Sequence, residues 1–298
     1  MANVVNRTKY YLRSLRKAPY AEYFLCPNCG ADGGEVIDRK YMITSLARCP
    51  ACGILYRQPI TTQAEADSFY EADYKTDKTG TPQDPDHPRY QDVAFLRTIK
   101  DQSDYVRVLM DLGLAPGTRI FDYGCSWGYG TGQLKHAGFA MSGYEIDPRN
   151  RVFARDVIGI DIVDDYWAHA EAAPGAYDVW FSSHVLEHLP SVEQVLDSAL
   201  RLIRPGGLIV IFVPNGSETF MQANRARWHR LWGEVHPLFL TDAYFKRRFA
   251  GMDMLIGASP ISQDALAAFG MGDAPAPPSL NGKELAVILR RPPHRADG

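Results

Sequence analysis

The segment "FDYGCSWGYG", residues 121–130, combines an acid, three glycines and a tryptophan in ten positions. It follows "GTRI", which is typical of the start of a strand, and precedes "TGQLKHAGF", which is typical of a short helix. Glycine permits positive φ and leaves room for a ligand against the backbone. In open α/β sheets, ligands bind at the carboxyl ends of the strands. The segment therefore predicts a ligand-binding turn after Asp122, with the amides of the loop and of the next helix as donors.

From residue 119 onward the chain alternates short apolar strands with helices. This pattern indicates right-handed βαβ crossovers and an α/β fold with a parallel sheet. A second acid, Glu145, ends the second predicted strand, where a carboxylate can accept hydrogen bonds from a ribose diol. The predicted strands are "RIFDYG", "AMSGYEI", "GIDIVD", "YDVWFSS", "GLIVIFVP" and, last, "KELAVILRR". Helices are predicted at about 128–137, 148–157, 190–203 and over "TDAYFKRRFA", and the segment "MDMLIGASPI" follows without an assignment.

Four of the five cysteines form two similar knuckles, "CPNCG" and "CPACG", with nineteen residues between Cys29 and Cys49. Two C-x2-C turns supply four thiolates, which is the tetrahedral set that structural Zn²⁺ prefers. With all four ligands from Cys26, Cys29, Cys49 and Cys52, no coordination position is left for a substrate. The pattern predicts a structural zinc ribbon. Two disulfides or four free thiols are the alternatives, and a reducing compartment argues against the first.

The formal net charge of −3 argues against a general nucleic-acid-binding surface. The N-terminal segment has basic residues but no apolar core, so we do not interpret it as a signal peptide. No run of about eighteen apolar residues is present, and we expect no membrane span and a cytoplasmic location. Three small basic clusters are expected to be solvated helix faces, although Arg225, Arg227 and Arg230, beside Trp228 and Trp232, are candidates for contact with an anionic substrate.

The motifs, taken in order, resemble those of class I S-adenosylmethionine (SAM)-dependent methyltransferases. "FDYGCSWG" is similar to the first motif of these enzymes, "GYEID" to their second-strand acid, and "YDVWFSSHVLEHLPS" and "LRLIRPGGLIVIFVPN" to the regions of strands four and five. The resemblance covers about 115–215. It departs at Ser126, where the family's middle glycine usually stands. A NAD(P) dehydrogenase fits less well, because the glycine spacing does not begin directly after the strand.

The two cysteine knuckles make this resemblance more specific. Two CPxCG knuckles ahead of a methyltransferase core resemble bacterial enzymes that methylate sugars or natural products, over most of 21–250. The resemblance implies SAM as cofactor, held by seven residues: Asp122, Gly124, Cys125, Ser126, Gly128, Glu145 and Ser183.

Three histidines are candidates for the chemistry of methyl transfer, which requires loss of a proton when the acceptor is a hydroxyl. His236, in "EVHPLFLT", lies in an H-x-x-x-F stretch similar to one that holds a candidate base in the resembled enzymes, and it is our first choice. His184 and His188 in "SSHVLEHLP" are spaced i, i+4, so on a helix they would share a face. The alternative for each is a structural histidine near the SAM loop.

These interpretations combine into a predicted domain organisation. A basic arm is expected over 1–20, a zinc ribbon over 21–60, a helical connector with a candidate lid over 61–118, and the SAM-binding domain over 119–298. We expect methyl transfer to a hydroxyl of a sugar, sugar-nucleotide or polysaccharide, with an anionic or nucleotide-linked small-molecule or glycan acceptor. The alternatives are an RNA methyltransferase, C-methylation of a keto-sugar, and a non-catalytic SAM-binding protein.

Overall fold

The computed structural model describes residues 2–68, 95–98 and 100–293, and side chains are described at 10–66, 95–98 and 100–293. The candidate lid, in the polar loop 75–89, lies outside the described residues. The described part contains eleven strands: β1 (Glu35–Lys40), β2 (Thr44–Arg48), β3 (Leu55–Gln58), β4 (Arg119–Tyr123), β5 (Ala140–Tyr144), β6 (Asp161–Ile162), β7 (Tyr177–Ser183), β8 (Ile203–Pro214), β9 (Leu238–Phe239), β10 (Asp253–Ala258) and β11 (Glu284–Arg290).

The described helices flank these strands, and none of them is both long and apolar enough to cross a lipid bilayer. Short 3₁₀ turns occupy Ala21–Phe24 and Leu186–His188. The α-helices are α1 (Ala2–Lys17), α2 (Gln63–Ser68), α3 (Ser103–Asp111), α4 (Tyr129–His136), α5 (Pro148–Asp156), α6 (Tyr166–Ala172), α7 (Glu193–Leu202), α8 (Glu218–Ala223), α9 (Arg225–Arg230), α10 (Asp242–Arg248) and α11 (Gln263–Met271).

The large sheet has seven strands in the order β10-β11-β8-β7-β4-β5-β6. The five strands β4 to β8 are mutually parallel, as the βαβ pattern predicts. The prediction of a parallel sheet is wrong at one edge, because β11 inserts antiparallel between β8 and β10. The α/β class is confirmed. The antiparallel insertion also brings the start of β11 to the carboxyl edge of the sheet, since Glu284 lies opposite Pro214 at the end of β8.

Side chains alternate along the central strands between two apolar layers. On one face, Trp180 of β7 and Ile211 of β8 join a buried cluster with α6 and α7. On the other face, Val179 and Phe212 join a second cluster with α3, α4 and α11. Strands buried on both faces read as nearly continuous apolar runs, which is why "VWF" and "LIVIFV" carry no visible alternation in the sequence.

The cysteine-bearing module forms a separate antiparallel sheet, in the order β1-β2-β3-β9. Its fourth strand, β9, comes from the chain beyond β8 rather than from the module itself. The amide of Arg57 also donates to the carbonyl of Pro237 at 2.8 Å, just before β9. The module therefore shares a sheet with the α/β domain, and Cys26, Cys49 and Tyr244 lie in one apolar cluster.

Asp38 of β1 makes a second connection between the cysteine-bearing module and the α/β domain. Its side chain is only 8% exposed and accepts hydrogen bonds from Arg225 at 2.9 Å, from Nδ1 of His229 at 2.6 Å and from Nε1 of Trp232 at 2.8 Å. Burial acts to raise the pKa of Asp38, but the hydrogen bonds from Trp232 and His229 outweigh it and leave the pKa below its ordinary value. Trp228 and Trp232 are both buried in the core and do not offer a face to a sugar.

We predict that Asp38→Asn lowers the free energy of unfolding by about 1–3 kcal/mol, because it removes the charge that three donors share. Since the folded pKa is lowered, this stabilisation is present above the unfolded pKa of about 3.9 and is lost as the pH falls through the folded value. Urea unfolding at pH 7 and at acid pH measures the difference. Asp273→Asn removes the same charge from an exposed loop and serves as the control. Equal stability of the two variants at pH 7 would contradict the role of Asp38.

Candidate active site

The turn after β4 packs closely against other residues of the protein, which leave no room for a side chain at its first glycine. Gly124 adopts φ +85°, and a Cβ placed there would lie 2.3 Å from Cγ2 of Val185. Both the left-handed conformation and the contact therefore require glycine at this position. Ser126 also has a positive φ of 53°, as expected for a residue that takes the place of the family's middle glycine. Gly128 precedes α4 as its N-cap.

The loop amides donate within the protein, contrary to the expectation that they face a ligand. The amides of Gly124 and Cys125 both donate to the carbonyl of Tyr144, at 2.8 and 3.0 Å. The amide of Ser126 donates to Oε2 of Glu145 at 2.9 Å. These bonds fix the loop against the end of β5. These three amides are therefore not free to donate to a ligand. What the loop can contribute instead is its backbone conformation.

Glu145 lies directly after β5, and backbone donors hold its carboxylate in place. Ser126 donates to Oε2, and the amide of Asp147 donates to Oε1 at 2.8 Å. A carboxylate has about four acceptor positions, so two remain for a diol. Burial raises the pKa of Glu145, although the backbone hydrogen bonds act against it. The residue is therefore fixed in position and keeps the acceptor capacity that ribose recognition requires.

The other predicted cofactor residues lie around this turn. Asp122 is buried near the end of β4, and Oγ1 of Thr131 donates to it at 2.6 Å. Burial raises the pKa of Asp122 to about 7. Cys125 is buried, and burial raises the pKa of its thiol, which argues against a nucleophilic role. Ser183 ends β7, the strand next to β4.

His184 is bound on both sides by carboxylates. Its Nδ1 lies 3.2 Å from Oε1 of Glu187, and its Nε2 lies 2.8 Å from Oε1 of Glu284. The hydroxyl of Tyr105 donates to the same Glu284 oxygen at 2.7 Å. Burial acts to lower the pKa of His184, but the two carboxylates outweigh it and raise the pKa well above its ordinary value. A ring held protonated between two acids is poorly suited to accept a proton.

His184 and His188 do not share a helix face as their spacing predicts. His184 has φ 55°, and only Leu186–His188 form a 3₁₀ turn. His188 instead meets His236, with ring centroids 4.6 Å apart and planes at 77°. The structure thus places His236 and His188 together and His184 apart from them, with Glu187 contacting His184 and lying beside the other two.

Glu187, His188 and His236 converge in a small polar cluster. One donor atom from each lies within 4.8 Å of the others. Nδ1 of His188 lies 2.9 Å from the carbonyl of Val235, and Nδ1 of His236 lies 2.6 Å from the carbonyl of Leu231. Burial lowers the pKa of His188 to about 4, so its ring is neutral at neutral pH. Two imidazoles and a carboxylate are donors that divalent cations accept.

A basic pocket adjoins His188 and lies between α1, the cysteine module and the segment before β9. Three cations line it. Arg13 pairs with Glu234, and Lys17 pairs with Glu65. Arg57 is 5% exposed, and in the described part of the chain no carboxylate lies within ion-pair distance of it. Its guanidinium donates to the hydroxyls of Tyr10 and Thr61, and its Nε is buried without a hydrogen-bond partner among the residues described.

The four predicted zinc ligands come together as their spacing indicates. Sγ of Cys26 lies 3.8 Å from Sγ of Cys52, and Sγ of Cys29 lies 3.5 Å from Sγ of Cys49. Zn–S bonds of about 2.3 Å in a tetrahedron place the sulfur atoms about 3.8 Å apart. The donor set and its spacing therefore fit Zn²⁺, which would tie the two knuckles together and leave no open coordination position.

Three residues near these sites were not predicted from the sequence. Glu284 and Tyr105 lie far from His184 along the chain, and no local pattern joins them. Arg57 did leave a signal, because it interrupts the apolar run "ILYRQPI". A charge within a buried strand commonly has a function.

The comparisons identify the class of protein. A family model described as a methyltransferase domain matches residues 95–252, more than half of the chain. The chain therefore belongs to this family. With the glycine turn after β4 and an acid after β5, its seven-stranded sheet is that of a class I SAM-dependent methyltransferase domain.

Individual relatives match over shorter stretches. The 2-methyl-6-phytyl-1,4-hydroquinone methyltransferase of Synechocystis sp. is 32% identical over 124 residues, which cover 38% of each chain. A ubiquinone biosynthesis O-methyltransferase of Pectobacterium carotovorum is 29% identical over 97 residues, 30% of this chain and 41% of that protein. This chain thus spans about two fifths of the length of these relatives. Among solved structures, phosphoethanolamine N-methyltransferase 2 of Haemonchus contortus aligns with a TM-score of 0.48 and 14% identity, covering 80% of this chain and 62% of that one.

We predict that the purified protein carries one equivalent of zinc that depends on the four clustered cysteines. Cys29→Ser should lose this equivalent, because a thiolate ligand is replaced by a hydroxyl. Cys125→Ser is the matched control, since Cys125 lies outside the cluster, and it should keep the metal. Elemental analysis of both variants measures the difference. Equal zinc contents in the two would rule out the cysteine site.

We predict that Glu145→Ala weakens SAM binding by about tenfold or more, since a hydrogen bond to a charged group contributes about 1.5–3 kcal/mol. Isothermal titration calorimetry measures the dissociation constant. Glu171→Ala removes an exposed carboxylate far from the glycine turn along the chain and should bind SAM as the wild type does. Unchanged affinity in Glu145→Ala would remove this residue from the cofactor site.

Proposed function

We propose that this chain transfers the methyl group of SAM to a hydroxyl of an anionic acceptor, such as a nucleotide-linked sugar. The observation that carries the proposal is Arg57, a buried guanidinium without a described carboxylate partner, in a pocket that His188 also lines. A buried charge is costly unless it is paired. A phosphate or carboxylate on the acceptor would pair with Arg57 and hold the acceptor beside the histidines.

The cofactor half of the proposal rests on the turn after β4. Membership of the methyltransferase family and the positioned carboxylate of Glu145 support SAM as the methyl donor. We propose that Asp122, Gly124, Cys125, Ser126, Gly128 and Ser183 surround SAM together with Glu145. The zinc at the four cysteines has no open position and contributes structure rather than chemistry.

The proposal of an anionic acceptor rests on the cations that line the pocket and on which of them lack an acidic partner among the described residues. Arg13 and Lys17 already have acidic partners, which leaves Arg57 as the cation in the described pocket that a substrate anion can pair with. Transfer to oxygen agrees with the name of one relative, an O-methyltransferase. The sugar itself rests on the resemblance of the two-knuckle arrangement to sugar-methylating enzymes.

The reaction forms a C–O bond as the C–S bond of the sulfonium breaks. The C–S electron pair remains on sulfur as S-adenosylhomocysteine, and the hydroxyl gives up its proton. We assign His236, with His188 beside it, to the acceptor hydroxyl. His184 is less suitable, because Glu187 and Glu284 already occupy both of its ring nitrogens. An imidazole nitrogen can take the proton directly, or it can hold a cation that makes the hydroxyl more acidic.

A radiolabelled-SAM assay with nucleotide-linked sugars and their uncharged counterparts tests this proposal. We expect methylation of a charged acceptor, and we expect Arg57→Met to raise its KM by about tenfold or more because a charge-assisted contact is lost. SAM affinity and the KM for the uncharged counterpart should change little, which separates an acceptor contact from a folding defect. An equal rise for both acceptors would contradict the role of Arg57. Salt-sensitive methylation of RNA instead would favour the RNA methyltransferase alternative.

A further inference from the structure

The cluster of Glu187, His188 and His236 presents acceptor atoms to a common centre, and none of the residues that the structure describes is recorded as donating to Oε2 of Glu187. Nδ1 of His188 faces the carbonyl of Val235, and Nδ1 of His236 faces the carbonyl of Leu231. A carbonyl oxygen only accepts hydrogen bonds, so each Nδ1 carries a proton. In a neutral imidazole the other nitrogen, Nε2, then has a lone pair. In its neutral form, each ring therefore offers an acceptor atom away from the backbone.

The carboxylate of Glu187 adds a third acceptor. The side chain is 1% exposed, and its Oε2 is buried without a hydrogen-bond partner among the described residues. Its other oxygen contacts His184 at 3.2 Å and lies 3.8 Å from Nε2 of His188. A buried carboxylate oxygen without a donor is costly. The Glu187 carboxylate therefore has unused acceptor capacity beside the two imidazoles.

We propose that Glu187, His188 and His236 bind a divalent transition-metal ion, separate from the zinc at the four cysteines. One carboxylate and two imidazoles are a ligand set for Mn²⁺, Fe²⁺ or Zn²⁺, with coordination positions left open. The donor atoms lie within 4.8 Å of one another. Three ligands with bonds of about 2.1 Å to one ion lie about 3.0–3.6 Å apart, so binding requires the side chains to close in by an ångström or more.

The surroundings of the cluster match those of metal-bound histidines. Such histidines almost always donate their second ring N–H to a carbonyl or carboxylate, which fixes the tautomer and the ring orientation. The carbonyls of Val235 and Leu231 do this for the two rings. The Oε1 of Glu187 that lies 3.8 Å from Nε2 of His188 also contacts His184, which is itself held by Glu284 at 2.8 Å. His184 is therefore a positioning residue for the carboxylate.

The two metal sites differ in chemistry. Four thiolates favour Zn²⁺, whereas nitrogen and oxygen donors accept Mn²⁺, which has the lowest affinity of the first-row divalent metals for any such site. Mn²⁺ therefore does not displace zinc from the cysteines and reports only on the second site. An open position on the ion would bind the acceptor hydroxyl and make it more acidic. This last step rests on the proposed function, but metal binding itself does not.

Titration of the zinc-loaded protein with Mn²⁺, with free Mn²⁺ measured by electron paramagnetic resonance, tests the site without an activity assay. We expect one saturable Mn²⁺ equivalent per chain and an unchanged zinc content. Glu187→Gln and His236→Gln should each weaken Mn²⁺ binding by more than about 100-fold, beyond the range typical of outer-shell changes. His136→Gln, at an exposed histidine outside the cluster, should bind as the wild type does.

Two results would overturn the proposal. One is the absence of saturable Mn²⁺ binding to wild-type protein that carries its zinc. The other is wild-type affinity in both Glu187→Gln and His236→Gln, with circular dichroism showing that they are folded. Since the wild-type titration decides alone, a variant that fails to fold does not obscure the outcome. Mn²⁺ binding without methyl transfer would contradict the proposed function and leave this site standing.

Discussion

Strand pairing between β3 and β9 is the constraint on which the proposed acceptor site depends. It joins the cysteine module to the α/β domain, since Tyr56 lies opposite Leu238 and Leu55 opposite Phe239. Arg57 projects from β3, and His236 lies two residues before β9. A metal bound by the four cysteines would therefore also help to position Arg57, although its coordination sphere would be closed to substrate. The cysteine cluster and the proposed acceptor pocket are in this way linked through one sheet.

Much of the fold could be predicted from the sequence, because its signals are local. The strand–helix alternation, the glycine turn and the C-x2-C pairs each depend on residues close together in the chain. The histidine site could not be predicted in the same way. His184 and His188 have helical spacing, but Pro190 follows closely and His184 is left-handed, so the segment forms a single 3₁₀ turn. The partners Glu284 and Val235 come from distant segments that only the folded sheet brings near.

The glycine turn shows a second limit of sequence reasoning. A motif reveals which positions must lack a side chain, but not what lies against them. At Gly124 the neighbour is Val185, a residue of the protein itself. The amides of the loop are likewise taken by Tyr144 and Glu145. In the proposed cofactor site, SAM would therefore be recognised less by free backbone donors than by the carboxylate that this turn holds at the end of β5.

The charges on the two sides of the proposed site are opposite. Carboxyl groups lie along the carboxyl edge of the large sheet, at Glu145 and Glu284, where a sulfonium cofactor would be bound. Cations line the pocket on the other side of His188. In the proposed function, a positively charged methyl donor and a negatively charged acceptor would each be attracted to the side that complements them, and like charges would oppose the reverse arrangement. Since methyl transfer removes the sulfonium charge, the attraction proposed to hold the cofactor would weaken once the reaction is complete, which would favour release of S-adenosylhomocysteine over SAM.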